Sequence, residues 1–173
     1  MGDTLFLGLS TLASLIGWYV VIRTFAWPKL ESQPKRSALR ALIPIHFIRF
    51  IGTGFLITGV VAHELPAGFA QPAAYGDLVS MVLAYLTFAT LQWSESERLQ
   101  QAFAWIFNII GTFDLLFAFA MGPTLVRHVG DFGATYFVLT VPVPLLLITH
   151  LFIFRTLIKR KYSNFAAKVT TAI

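Results

Sequence analysis

Five long apolar stretches, separated by polar connections, form the main pattern of this chain. Each is about as long as the 20 residues that an α-helix needs to cross a bilayer. Their apolar residues run continuously instead of alternating, which excludes the strands of a membrane β-barrel. The pattern therefore predicts an all-α integral membrane bundle of five transmembrane helices. The predicted spans are residues 5–25, 41–62, 73–93, 102–121 and 132–154.

Composition supports a membrane protein. Of the 173 residues, 57% are hydrophobic and only 12% are charged, whereas about a quarter of an ordinary soluble domain is charged. A length of this size predicts one domain, here a single transmembrane domain over residues 1–173. The chain has no Cys, which excludes disulfides, thiolate metal sites and cysteine nucleophiles. The expected environment and partner is the lipid bilayer.

The basic residues predict the orientation of the bundle. Eleven of the 13 Lys and Arg fall in the segment after the first span, the connection between spans three and four, and the C-terminal segment. These segments lie on one side of a five-span topology, and Lys and Arg concentrate in the cytoplasm. We therefore expect an outside N-terminus, a cytoplasmic C-terminus and a multi-pass protein of the inner membrane. Because this topology accounts for the net charge of +5, we expect no nucleic-acid partner.

Two local patterns modify this simple topology. Pro142 and Pro144 lie inside the fifth span, where each removes a backbone donor and predicts a kink. Residues 63–72, between spans two and three, form an amphipathic stretch that we expect to lie as a loop at the membrane surface.

Ionisable side chains at membrane depth supply the candidate chemistry, because they are costly there and usually face a bundle interior or cavity. Helix rise places two histidines at similar depth near the cytoplasmic side, then an arginine, then two aspartates towards the outside. The residues, in that order, are His46 and His150, Arg49, Asp114 and Asp77.

Arg49 needs a carboxylate, since an unpaired buried charge is prohibitively unfavourable. Asp114 is its best partner by depth, and Asp77 is within reach of a long Arg side chain. His46 and Arg49 share one helix face at a spacing of three residues, which Thr53 is predicted to continue. Asn108 lies on the same side of the fourth span as Asp114 and can hydrogen-bond to the cluster.

These residues leave several functions open. A site that binds or conducts a proton, an ion or a small polar ligand is the leading hypothesis. In that hypothesis Arg49 and Asp114 form a gate, Asp77 receives from outside, and the two histidines exchange with the cytoplasm. The same ion pair could instead be structural, as a polar contact that holds neighbouring helices together.

A second hypothesis is a membrane redox protein that uses His46 and His150 to hold haem or a divalent metal. A third is a non-catalytic accessory subunit of a larger membrane complex, and a transporter this small would be a homo-oligomer. No nucleophile elbow, phosphate loop or HExxH motif is present in the sequence, so the sequence favours a protein that is not an enzyme.

Several short motifs resemble a pattern in small uncharacterised bacterial inner-membrane proteins. The resemblance spans most of residues 46–150 and implies no established activity. It does imply that the five ionisable residues belong to one constellation. The motifs are His46-Phe47-Ile48-Arg49, Gly52, Phe55-Leu56, Leu65-Pro66, Phe69-Ala70-Gln71-Pro72-Ala73, Gly76-Asp77, Gly111 with Asp114-Leu115, and Pro142 and Pro144 up to His150.

Overall fold

The computed structural model of the protein describes residues 2–62 and 65–158, and this part of the chain is built from helices without a β-strand. Five of its helical segments are long and apolar enough to cross a membrane, which confirms the predicted all-α bundle. Each span is longer than predicted or displaced along the chain, because the helices continue into polar flanks. The five segments are Gly2–Glu31, Lys35–Leu56, Ala67–Trp93, Glu97–Leu125 and Val129–Ile158.

Three of the five spans change helix type along their length. The first comprises α1 (Gly2–Val21), a π-helical turn (Ile22–Ala26) and α2 (Trp27–Glu31). The second comprises α3 (Lys35–Leu42) and then a 3₁₀ helix (Ile43–Leu56), here called the central 3₁₀ helix. The third and fourth are α4 (Ala67–Trp93) and α5 (Glu97–Leu125). The fifth comprises a 3₁₀ segment (Val129–Thr135), α6 (Tyr136–Thr140) and α7 (Pro142–Ile158).

The central 3₁₀ helix, at 14 residues, is far longer than the three or four residues usual for this conformation. Its sequence explains the choice, because the buried residues recur at every third position. A helix with three residues per turn places such positions directly above one another, whereas an α-helix would rotate them progressively away. The buried positions are Ile43, His46, Arg49, Gly52 and Phe55.

This helix type corrects two expectations. The face shared by His46 and Arg49 continues through Gly52, not through Thr53, which is only partly buried and donates to Phe50 O instead. The second span was also predicted to end at residue 62, but it ends at Leu56. The chain turns out of the helix there, since Ile57 is extended and Gly59 has a positive φ of 92°.

The predicted surface loop 63–72 is also wrong in its second half. Residues 63 and 64 lie outside the described part, but α4 already begins at Ala67. Phe69 is fully buried and Ala70 nearly so, in an apolar cluster with Phe55 and Phe132. Pro72 is the sixth residue of this helix, where it cannot donate a backbone hydrogen bond to Gly68 O.

The predicted kink in the fifth span is present. The helix breaks at Val141, between α6 and α7, with Pro142 as the first residue after the break. The indole of Trp18 in α1 donates a hydrogen bond to Val141 O over 3.2 Å. Val141 O also accepts from Leu145 N over 3.4 Å, so the indole is a second donor to this carbonyl and links α1 to the break.

Arginine and lysine side chains close the end of the bundle at which α3 begins, here called the basic end. Arg36 donates to Leu91 O and Gln92 O, and Lys35 donates to Leu157 O. These carbonyls belong to the last turns of α4 and α7, where backbone acceptors lack intrahelical partners and cations are favoured. The start of the second span is thereby fixed against two other spans.

The strained turn near the opposite end generates a first prediction. Gly133 has a φ of 52°, and a Cβ there would meet Val60 O, which accepts a hydrogen bond from Ala134 N. We expect Gly133→Ala to lower the free energy of unfolding by about 1–3 kcal/mol, as measured by thermal unfolding in detergent micelles. Gly130→Ala is the matched control, because a Cβ at Gly130 meets nothing. An equal effect of both variants would contradict the assignment.

Candidate functional site

The guanidinium of Arg49 lies at the centre of a buried polar network between the central 3₁₀ helix, α4, α5 and α7. Arg49 is fully buried. Its Nη1 donates to Asp77 Oδ1 over 2.8 Å and to Asp114 Oδ2 over 2.6 Å. The predicted pair with Asp114 is therefore present, and Asp77 joins it on the same nitrogen. One cation connects carboxylates from two different helices.

The second terminal nitrogen of Arg49 contacts two further groups, one on α5 and one on α7. Nη2 donates to Gly111 O over 2.8 Å and contacts His150 Nε2 at 3.2 Å. A guanidinium has five N–H donors in a fixed planar arrangement, and four of them are thus used. The fifth, on Nε, is buried and has no partner.

His150 is held as a neutral imidazole by its two partners. Because Arg49 can only donate, His150 Nε2 is the acceptor of that hydrogen bond, and Nδ1 carries the hydrogen. Nδ1 donates to Asn108 Oδ1 over 2.7 Å, and Asn108 Nδ2 donates back to His150 O over 3.3 Å. Asn108 therefore fixes both the tautomer and the orientation of this ring.

His46 lies against His150, with 4.2 Å between the ring centroids, which agrees with the equal depth predicted for them. His46 Nε2 is 3.0 Å from Thr149 Oγ1, whose hydroxyl donates to Leu146 O over 2.9 Å. A hydroxyl has one hydrogen to donate, so Thr149 accepts from His46 Nε2. His46 Nδ1 then carries a free lone pair, and this buried atom has no partner.

Three glycines make room for the network. A Cβ on Gly52 would lie 2.7 Å from Asp77 Cγ, one on Gly76 would lie 2.7 Å from Asp114 Cγ, and one on Gly111 would lie 2.7 Å from His150 Cε1. Real Cβ atoms do not approach other atoms so closely, so a side chain at any of these positions would displace a polar group. These three glycines therefore shape the site itself.

Exposure differs across the network. The side chains of Asp77 and Asp114 are 8% and 11% exposed, whereas His46, Asn108 and His150 are no more than 1% exposed. Phe107 packs against both imidazoles, at 4.9 and 5.2 Å between centroids. Beyond it towards the basic end lies an apolar cluster that includes Ile43, Leu91 and Ile153. Access is therefore easiest at the two carboxylates.

The charges within the network do not cancel. One guanidinium faces two carboxylates, so the ionised site carries one negative charge in excess, because His150 is neutral. An excess charge in a low-dielectric interior is strongly unfavourable, and the favourable remedy is a further positive charge. A proton on one carboxyl supplies that charge without any additional ligand.

The residues do not favour the predicted metal or haem centre on His46 and His150. Both ring nitrogens of His150 are used in hydrogen bonds, and the Arg49 cation lies beside the ring. Within residues 2–62 and 65–158, no group of three or more His, Asp or Glu side chains is arranged to hold a metal ion. His150 therefore serves as a hydrogen-bonding group here.

The structure thus brings together all six residues that the sequence singled out, namely His46, Arg49, Asp77, Asn108, Asp114 and His150. It adds groups that sequence analysis missed. Thr149 positions His46, and a backbone carbonyl at Gly111 accepts from Arg49. A carbonyl has no sequence signal, but Thr149 stands directly before His150 and could have been considered with it.

Comparison with known proteins places this chain in a family without an assigned activity. The chain belongs to the family described as Domain of unknown function (DUF8737), whose model matches residues 6–158. The match covers most of the chain and agrees with the predicted membership of an uncharacterised family. No curated protein and no solved structure matches the chain.

Gly76 provides a test of how closely the network is packed. We expect Gly76→Ala to push the Asp114 carboxyl away from Arg49 and to lower the free energy of unfolding by about 1–3 kcal/mol. Thermal unfolding in detergent micelles measures the loss. Gly68→Ala, in the same helix, is the control because a Cβ there meets nothing. Equal stability of both variants would show that Asp114 does not need the space at Gly76.

Proposed function

We propose that the protein binds and exchanges protons at the buried Arg49 network, within a bundle that spans the inner membrane. The observation that carries the proposal is the presence of two carboxylates on one Arg49 nitrogen, at 2.8 and 2.6 Å. Asp77 and Asp114 share the one proton that makes the site neutral. Proton gain and loss at this pair is the elementary step of the proposed function.

The side-chain exposures support a route through the site. The two carboxyls exchange protons with the side opposite the basic end, since they are the more exposed members of the network. On the other side, His46 is the candidate for exchange with the basic end, because Nδ1 has a free lone pair. His150 serves as a positioning residue, since both of its nitrogens are engaged. Arg49 and Asp114 form the gate between these two parts.

Proton flux into liposomes tests this function directly. Purified protein in liposomes with an internal pH-sensitive dye is expected to equilibrate an imposed pH gradient faster than empty liposomes. Asp114→Asn removes the excess charge and the need for the proton, so we expect its flux to fall to the level of empty liposomes.

Asp3→Asn is the matched control for that experiment. Asp3 lies exposed in the first turn of α1, outside the network, so its variant is expected to retain the flux of the unmodified protein. Unchanged flux in Asp114→Asn would disprove the gate, and equal flux with and without the protein would disprove the function.

The proposed route requires the orientation that the basic residues predict, with the basic end in the cytoplasm. The chain contains no native Cys, so single cysteines can report the sidedness of the bundle. Glu95 lies in the exposed connection between α4 and α5, and Gly130 lies exposed in the connection before α6. These two positions are on opposite sides of the bundle.

We expect a membrane-impermeant thiol reagent to label Gly130→Cys in intact cells. Glu95→Cys is expected to react only after the membrane is made permeable. Labelling is detected by the mass shift of the purified protein. The reverse labelling pattern would invert the topology and the direction assigned to each half of the route.

An accessory subunit of a larger membrane complex, or a homo-oligomer, is the second candidate. Its support is the first span, where only 11% of an apolar stretch of 18 residues is buried within the chain. Large apolar side chains such as Phe6 and Ile16 are more than half exposed there. Lipid or a partner helix covers such a surface, and co-purification of a stoichiometric partner from native membranes would favour the subunit.

A further inference from the structure

Three buried polar atoms without a partner belong to residues of two packed helices, the central 3₁₀ helix and α4. They are Arg49 Nε, His46 Nδ1 and Ser80 Oγ. All three residues are fully buried. Buried polar groups in proteins are nearly always hydrogen-bonded, so each such atom calls for a partner. Three of them in one region indicate a shared partner that is small and polar.

The register of the helices places Ser80 beside Arg49. Gly52 meets Asp77, and Phe47 stacks on Tyr85 at 4.1 Å between centroids. Ser80 lies between Asp77 and Tyr85 along α4. Arg49 lies between Phe47 and Gly52 along the central 3₁₀ helix.

Measured from the Gly52–Asp77 contact, the rise per residue puts Ser80 about 4.5 Å and Arg49 about 6 Å towards the basic end. Ser80 belongs to the buried face of α4 that carries Asp77. His46 occupies the next turn of the central 3₁₀ helix, one repeat of three residues from Arg49.

The three atoms have complementary hydrogen-bonding character. Arg49 Nε can only donate, His46 Nδ1 can only accept in the tautomer fixed by Thr149, and the Ser80 hydroxyl can do either. A water molecule accepts and donates at once, and a buried water typically makes about three hydrogen bonds. Its hydrogen-bonding capacity therefore matches this set of groups.

We propose that Arg49 Nε, Ser80 Oγ and His46 Nδ1 hold an internal water molecule. The water accepts from Arg49, donates to His46 and exchanges a hydrogen bond with Ser80. It connects the guanidinium that faces the carboxylates with the imidazole that has the free lone pair. This inference rests on the proposed proton function for its role, because the water gives the free imidazole of His46 a hydrogen-bonding partner inside the route. Arg49 cannot lose a proton, so it orients the water and does not relay protons. Ser80 is then a positioning residue of the route.

Solid-state NMR on the full-length, isotope-labelled protein in liposomes tests the water directly. Magnetisation transferred from water is expected to reach Arg49 Nε–H and the Ser80 side chain. Ser80→Ala is expected to abolish the transfer to Arg49. Thr87→Val is the matched control on the same face of α4, since the Thr87 hydroxyl is already bonded to backbone carbonyls. The control is expected to retain the transfer to Arg49.

Thermal unfolding gives a second readout. The change in the unfolding midpoint of Ser80→Ala has one sign if the site holds water and the opposite sign if it holds none. If Ser80 binds water, Ser80→Ala lowers the midpoint of unfolding, because Arg49 loses a hydrogen-bonding partner. If Ser80 were dry and unpaired, the same substitution would raise the midpoint by removing an unsatisfied hydroxyl. A raised midpoint, or water transfer that is absent or unchanged in Ser80→Ala, overturns the proposal.

The failure of this inference differs from failure of the proposed function. Unmodified protein without proton flux, but with water transfer to Arg49, would disprove the proton function and keep the water site. Flux in the unmodified protein that persists in Ser80→Ala without water transfer would disprove the role of the water in the route. Flux that falls in Ser80→Ala together with the transfer supports both.

Discussion

Burial of the Arg49 charge is the constraint on which the rest of the structure depends. A guanidinium that is fully buried in an apolar bundle is stable only when its donors are satisfied. Its partners come from α4, α5 and α7, so these helices must approach the central 3₁₀ helix at one level. Gly52, Gly76 and Gly111 permit that approach by leaving no side chain in the way.

The unusual helix type of the second span follows from the same constraint. His46, Arg49 and Gly52 must all face the interior, and they recur at every third residue. Three residues per turn keep them aligned, whereas 3.6 residues per turn would rotate some of them towards the outside of the bundle. The burial gained along this face offsets the poorer hydrogen-bond geometry of a long 3₁₀ helix. Structure and proposed chemistry therefore depend on the same residues.

The proposed proton function follows from an imbalance and not from the ion pair itself. One cation with one carboxylate would be a neutral structural link between helices, as in many membrane bundles. The second carboxylate makes the site negative unless a proton is bound. Asn108 and Arg49 hold His150 neutral and immobile, while His46 keeps an unused acceptor. The network thus separates a proton-binding part, a fixed imidazole and a free imidazole.

The sequence by itself determined that the chain forms five apolar helices long enough to cross a membrane, because hydrophobic length is a local property of the chain. It also determined which residues meet, since Arg49 must find a carboxylate and depth along each span limits the choice. Only the tertiary structure decided that Asp77 and Asp114 bind the same nitrogen, that residues 57–62 leave the helix, and that Ser80 is buried on the face of α4 that carries Asp77. Those features depend on helix rotation and on contacts between distant segments, which neither hydrophobic length nor the depth of a residue specifies.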